Sequence, residues 1–390
     1  MAQQPENPFA NQSSSSPAKQ HAEASRKGRS QSPINRFTPF IFTGTGRQLF
    51  GIQFLNIILI VLTLGVWTPW ARVRKRRFFY NNTRILGDGL DYLATGFDLF
   101  KGWIVVTILL LIFYALPVLG VPFLQEGASL ALLLIYPWAL NRSLRFNARN
   151  LAWRDVRFDY NGGYFGALWF FFALPLLGFL SAGLLMPLAS KAMREYMANG
   201  HSFGAARFSA TSSLASYYGA GFKTVLLGLF FGVMVGTGMF LMVGDSLATL
   251  AKLPSGTDDL EQLIADPKIS FIIYVIPIVL LFLFIITAGY YRALTRNIII
   301  GALRLQGGIR FRSHVSGIGL AWIIVSNLIL TVATLGLLMP WAQVRQYRYL
   351  TANTKIRPIA DMQSFVDRQT RAGSSLGDAV GEAGGLEINF

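Results

Sequence analysis

The sequence predicts an all-α integral membrane protein of about seven transmembrane helices. Three observations point there: an apolar composition, a series of apolar runs of bilayer length, and a tandem internal repeat. The 390-residue chain has a mean hydropathy of +0.44, 53% hydrophobic residues and 14% charged residues, against roughly 25% charged in an average soluble domain. A bilayer core of about 30 Å is crossed by about 20 helical residues. Runs at 49–70, 103–124, 128–141, 164–189, 223–246, 270–290 and 318–342 meet or approach that length. They are continuously apolar, which favours helices over membrane barrel strands, whose polarity alternates. Only Gln125 to Gly127 separates the second run from the third, so the two read as a tight helical hairpin.

The first 36 residues contain no apolar h-region and read as a disordered, mildly basic tail, not as a cleavable signal peptide. Residues 37–357 read as one membrane domain, and 358–390 as a flexible C-terminal tail. Within the domain, 40–83 and 311–354 align without a gap, with 19 of 44 positions identical. Asn56 matches Asn327, Thr63-Leu64-Gly65 matches Thr334-Leu335-Gly336, and Pro69-Trp70-Ala71 matches Pro340-Trp341-Ala342. A degenerate third copy at 158–201 keeps Phe158, Gly162, Gly183, Pro187, Ala189, Arg194 and Asn199. The chain therefore divides into a three-helix unit (40–157), a second such unit (158–310) and a closing half unit (311–357). Basic junctions around Arg142 and Arg292 end the intervening helix pairs.

The segment TLGVWTPWARVRKRRFFYNNTRILG and its echo TLGLLMPWAQVRQYRYLTANTKI resemble the YjgN-like family of bacterial inner-membrane proteins, a domain of unknown function. The similarity spans essentially 37–357. It implies a multi-pass protein of the bacterial inner (cytoplasmic) membrane and leaves the activity open. The third copy departs from the pattern, with Leu188 in place of Trp and Leu174 in place of Asn.

Each motif ends its apolar run with Pro and Trp and then turns basic. Trp70, Trp138 and Trp341 fall at that border, where an indole ring is served by both apolar and polar surroundings. Arg74, Arg77, Arg142, Arg345 and Arg348 follow them and can reach lipid phosphates. These residues read as a topology anchor or as a seat for an anionic headgroup. Inside the runs, Asn56 and Thr63 share a helix face, as do Asn327 and Thr334. Such residues hydrogen-bond neighbouring helices, which Gly65 and Gly336 would let approach, or they line a substrate path. Segments such as Phe40-Ile41-Phe42, Leu90-Asp91-Tyr92, Phe158-Asp159-Tyr160, Phe208-Ser209-Ala210 and Phe311-Arg312-Ser313 read equally as short strands or as interfacial loops.

Catalytic motifs are absent from the sequence, so no enzyme and no cofactor is expected. His21, His201 and His314 lie far apart and fit no metal spacing, there is no Cys, and no phosphate loop or nucleophile elbow occurs. Asp258, Asp259, Glu261 and Asp266 read as a solvated loop. The net charge of +16 concentrates at membrane borders, which argues against nucleic acid and for a bilayer with anionic headgroups. Seven true crossings with a cytoplasmic C-terminus would invert the second unit and place Arg292, Arg296, Arg304, Arg310 and Arg312 outside with the basic N-terminal tail, against the positive-inside bias. Re-entrant first, fourth and seventh runs would remove that conflict, but 318–342 has no obvious central break.

Overall fold

The computed structural model describes residues 36–120, 123–250 and 267–383. The expected disordered tail, apart from Arg36, and the acidic loop with Asp258, Asp259, Glu261 and Asp266 lie outside the described residues.

Short strands and helical hairpins alternate along the chain. A strand pair β1 (Thr38–Pro39) and β2 (Ile41–Phe42) leads to helices α1 (Gly46–Leu62) and α2 (Thr68–Asn81). Strands β3 (Thr83–Ile85) and β4 (Asp88–Tyr92) lead to α3 (Gly96–Ala115) and α4 (Leu124–Arg149). Next come β5 (Leu151–Trp153) and β6 (Val156–Tyr160), then α5 (Tyr164–Leu180) and α6 (Met186–Gly200). Strands β7 (His201–Phe203) and β8 (Ala206–Ala210) precede α7 (Leu214–Leu250) and α8 (Pro267–Ala302). Finally β9 (Leu303–Leu305) and β10 (Ile309–Ser313) precede α9 (Gly317–Ala333) and α10 (Met339–Ala352), followed by β11 (Thr354–Arg357) and α11 (Met362–Ala383).

The prediction of an all-α protein with seven transmembrane helices is therefore overturned. The eleven strands form one antiparallel sheet in the order β1-β11-β10-β9-β8-β7-β6-β5-β4-β3-β2. Its two edge strands are halves of one segment: Thr38 and Pro39 pair with Ile356 and Lys355, whereas Ile41 and Phe42 pair with Arg84 and Thr83. The sheet thus bends round into a nearly closed barrel, which removes the exposed edges that invite aggregation. Four of the five alternating segments noted in the sequence lie wholly in strands, and the fifth has Ile41 and Phe42 in β2 with Phe40 at the break between β1 and β2. Their two-residue period puts Phe, Leu and Ile inside and Arg84, Arg157, Arg207, Arg304 and Arg310 outside.

Among the described residues, three helices are long and apolar enough to cross a bilayer: Gly96–Val118, Leu214–Met242 and Tyr274–Ala302. The first, fourth and seventh apolar runs do not carry the chain across. Helices α1, α5 and α9 have 17 residues or fewer, about 25 Å, and each turns back to the sheet it left. The break is a tight turn with one geometry three times over. Leu64, Ala182 and Leu335 have φ near +50°, and the following Gly65, Gly183 and Gly336 have φ near +90°. Each glycine N–H bonds five residues back, to Ile60, Gly178 and Thr331 at 2.7–2.9 Å, the helix-ending pattern that a left-handed glycine allows. The turn is invisible to hydropathy because its non-glycine residues are apolar and point outward: Leu64 is 94% exposed and Leu335 96%.

The C-terminal region expected to be a flexible tail carries α11. Asp361 caps it through the Ser364 N–H at 3.0 Å, and Phe365 and Val366 are buried with Leu90, Trp153, Phe203, Leu305 and Ile356. Gln369 Oε1 accepts from the N–H groups of Ala205 and Ala206 at 3.0 Å. Helix α11 therefore covers the barrel end formed by the β-hairpin turns, opposite the helices.

Candidate functional site: a barrel chamber

Successive side-chain layers build the chamber wall. Leu90, Phe158, Phe208 and Phe311 line the chamber from β4, β6, β8 and β10, Phe40 from the break between β1 and β2, and Ile85, Trp153, Phe203, Leu305 and Ile356 from the other strands. The aromatic members touch, with ring centroids 5.0 Å apart for Phe158 and Phe203 and 6.1 Å for Phe208 and Phe311. They enclose a cavity of 430 Å³. A second cavity of 420 Å³ shares Leu151, Phe158, Phe208, Ile300 and Leu303 with it and extends toward α6. Barrels of about this strand number leave room for one ligand, and the volumes lie in the range of roughly 300–1,000 Å³ usual for small-molecule sites.

Above the barrel, the five returning helices (α2, α4, α6, α8 and α10) each pack on the first helix of the next hairpin, and α10 packs back on α1. One position on each ties the ring together. Arg77 donates to the carbonyl of Ala94 at 3.1 Å, Arg145 to that of Tyr160 at 2.9 Å, and Arg348 to that of Gly44 at 2.8 Å. On α6 the position is Glu195, which accepts from the N–H and hydroxyl of Ser212 at 2.5 and 2.7 Å. On α8 it is Asn297, bonded to both the carbonyl and N–H of Val315 at 2.8 and 2.9 Å.

One residue earlier on the same helices stand Arg76, Leu144, Arg194, Arg296 and Tyr347. Arg296 and Tyr347 line the first cavity and Arg194 the second. Arg296 donates only to neutral hydroxyls, Ser313 at 3.1 Å and Thr354 at 3.0 Å. Arg194 Nε is buried without a hydrogen-bond partner among the described residues. The ion pairs among the described residues are Arg149–Asp159, Arg154–Asp88 and Lys191–Glu195, so neither lining arginine meets a carboxylate. Arg76 is satisfied elsewhere, by Tyr92 and Asn147.

The residues read in the sequence as packing, substrate-path or headgroup-anchor positions lie outside this chamber. Asn56 Oδ1 accepts from Trp67 Nε1 at 3.3 Å and Arg74 Nη1 at 3.4 Å, bridging the arms of the first hairpin. Asn327 does the same in the last, donating to the Ala342 carbonyl at 2.9 Å and accepting from Arg345 at 3.4 Å. Thr63 and Thr334 bond the turns: each hydroxyl donates four residues back at 2.7 Å and accepts from the N–H four residues on. Nothing lies near Gly65 or Gly336, whose role is the positive φ of the turn and not helix contact. Trp70 covers Gly96 and Trp341 covers Gly46 so closely that a Cβ on either glycine would sit within 2.3 Å of the indole. Trp138 and Arg142 are exposed on α4. The sequence marks Arg194 only as a residue kept in the degenerate copy and Arg296 only as a charge in the topology conflict; the signal that joins them is the register that the five returning helices share.

The family described as "Bacterial protein of unknown function (DUF898)" matches residues 37–383, barrel, helices and α11 together. This chain belongs to that family. Proteins similar to this chain include the "Inner membrane protein YjgN" of Salmonella typhimurium (strain LT2), 26% identical over 353 residues, covering 81% of this chain and 88% of the relative. The protein of the same name from Escherichia coli O157:H7 is 23% identical over 362 residues, covering 85% and 91%. With its three bilayer-length helices, this DUF898 member is an inner-membrane protein. No solved structure matches it.

Proposed function

We propose that the protein is a non-enzymatic binding protein that takes a lipidic molecule into its barrel chamber. The observation that carries this reading is the chamber itself: an apolar lumen lined at one end by Met362 of α11, whose Phe365 and Val366 pack with residues of its wall, and roofed at the other by helices that enter the membrane. Water gains nothing from such a wall, whereas hydrocarbon buried in it gains about 25 cal/mol per Å². The barrel and both termini lie in the cytoplasm in this reading. Every basic junction then faces the side that the positive-inside bias prefers, and the exposed Trp138 and Arg142 reach anionic headgroups. In this reading the three bilayer-length helices α3, α7 and α8 cross the bilayer, α4 returns the chain to the barrel after α3, and the short hairpins dip into it.

Native mass spectrometry of the detergent-purified full-length protein tests the reading. One lipidic molecule is expected to stay bound, and Ile300→Trp with Leu303→Trp, which fill the space shared by the two cavities, is expected to release it without loss of fold. A wild-type protein that binds no added apolar ligand rules the proposal out.

A further inference from the structure

We infer that Arg194 and Arg296 seat the acidic headgroup of a single-chain amphiphile, a carboxylate or a phosphate monoester, whose hydrocarbon chain fills the barrel. This rests on the chamber reading above and narrows it to one class of ligand. A half-buried arginine without a counter-ion is costly, and although Arg296 ties α8 to β10 and β11, the position does not demand arginine: Leu144 and Tyr347 occupy it on two of the other returning helices. Two such arginines nonetheless stand on α6 and α8, within electrostatic reach of each other, each lining one of two cavities that share a wall. Both retain unused donors. Arg194 Nε has no partner among the described residues, and Arg296 spends two of its five N–H groups on hydroxyls.

An anion between them would cancel their mutual repulsion and accept those donors in the bidentate manner that guanidinium favours. Phe158, Phe208, Ile300 and Leu303 form the wall that the two cavities share, and the other polar lining residues, His201 in the second cavity and Thr83, Tyr347, Thr351 and Thr354 in the first, include no carboxylate. The geometry therefore pairs one negative charge with one apolar chain. Arg292, exposed one turn before Arg296 and within electrostatic reach of both arginines, marks the side from which the headgroup enters.

The test compares palmitate, hexadecyl phosphate and hexadecanol, which share a chain and differ in the head, titrated into the full-length protein and read by native mass spectrometry. Palmitate, hexadecyl phosphate or both are expected to bind about tenfold or more tightly than hexadecanol, as a charge-assisted hydrogen bond predicts; which acid leads identifies the headgroup. In Arg194→Gln with Arg296→Gln, the acids are expected to fall to the level of hexadecanol while hexadecanol is unchanged. Equal binding of all three by the wild type overturns the inference and leaves the chamber reading standing, and so does an acid preference that survives in the folded double variant. Binding of none overturns both. Should the double variant fail to fold, the wild-type comparison and the single Arg194→Gln variant still decide.

Discussion

Arg348 on α10 donates to the carbonyl of Gly44 at 2.8 Å across 304 positions of sequence, the same bond that Arg77 makes to Ala94 across 17. The contact between the two ends of the domain is thus chemically the contact between neighbouring hairpins, and the ring has no special seam. Arg348→Gln is expected to lower stability by about 1–2 kcal/mol, the range for a charge-assisted bond that is partly exposed. Thermal unfolding in detergent, with Arg72→Gln as an exposed arginine away from the seam, measures it; equal shifts for both would mean that the closing bond contributes nothing of its own.

Sidedness follows from the shared sheet. Single cysteines at Arg84→Cys, Arg157→Cys, Arg207→Cys and Arg304→Cys, all on the outer barrel face, are expected to resist an impermeant thiol reagent in intact cells and to react together once the membrane is opened. The wild-type chain has no cysteine to confuse the readout. Labelling of one position from outside while another stays protected would restore the inverted arrangement.

The hairpin tips need glycine at positive φ. Gly65→Ala and Gly336→Ala place a Cβ where the left-handed conformation costs about 1–2 kcal/mol. Gly51→Ala, in a helix with open space around it, is expected to be neutral or slightly stabilising. Chemical unfolding midpoints separate these outcomes.

Helix α11 is held mainly by Phe365 and Val366. Phe365→Ala removes a buried ring and is expected to cost about 3 kcal/mol. Protease susceptibility of the C-terminal segment is the direct measurement, and an unchanged cleavage pattern would show that α11 is held by other contacts.

At the barrel surface, burial works against the charge of Asp159, but hydrogen bonds from Arg149 and from the Tyr160 N–H outweigh it and hold the carboxyl below its ordinary value. A depressed carboxylate stabilises the fold above its unfolded value, about pH 3.9, and loses that contribution as pH falls through its folded value. Asp159→Asn is therefore expected to cost up to about 1 kcal/mol at pH 7, modest because Arg149 is 59% exposed, and nothing once both states are protonated. Unfolding curves for the two proteins that stay apart at low pH would contradict this.

Much of this was legible in the chain and some of it was not, for physical reasons. Period-two alternation around Phe158 and Phe208 marks the strands, and the matched Asn56/Asn327 and Thr63/Thr334 pairs mark equivalent hairpins. The return at Leu64-Gly65 escapes a hydropathy reading because lipid-facing turns must themselves be apolar, so a helix, its turn and the next helix read as one crossing. Pro137-Trp138-Ala139 on α4 repeats Pro69-Trp70-Ala71 and reveals that the unit recurs around a ring. A long helix around it hides the match. Barrel closure rests on Thr38 meeting Ile356, a pairing no local pattern encodes. The chamber arginines stand out only when returning helices are laid in register.

The segment Thr38–Phe42 is a keystone placed first. It leaves the ribosome before any other strand, yet one of its two partners, β11, is synthesised after more than 300 further residues. Until translation nears its end, the growing sheet keeps an open flank in the cell, and pairing over such a separation is intrinsically slow. A nascent chain stalled before residue 354 should therefore be a target for chaperones and proteases even with all its helices already in the membrane.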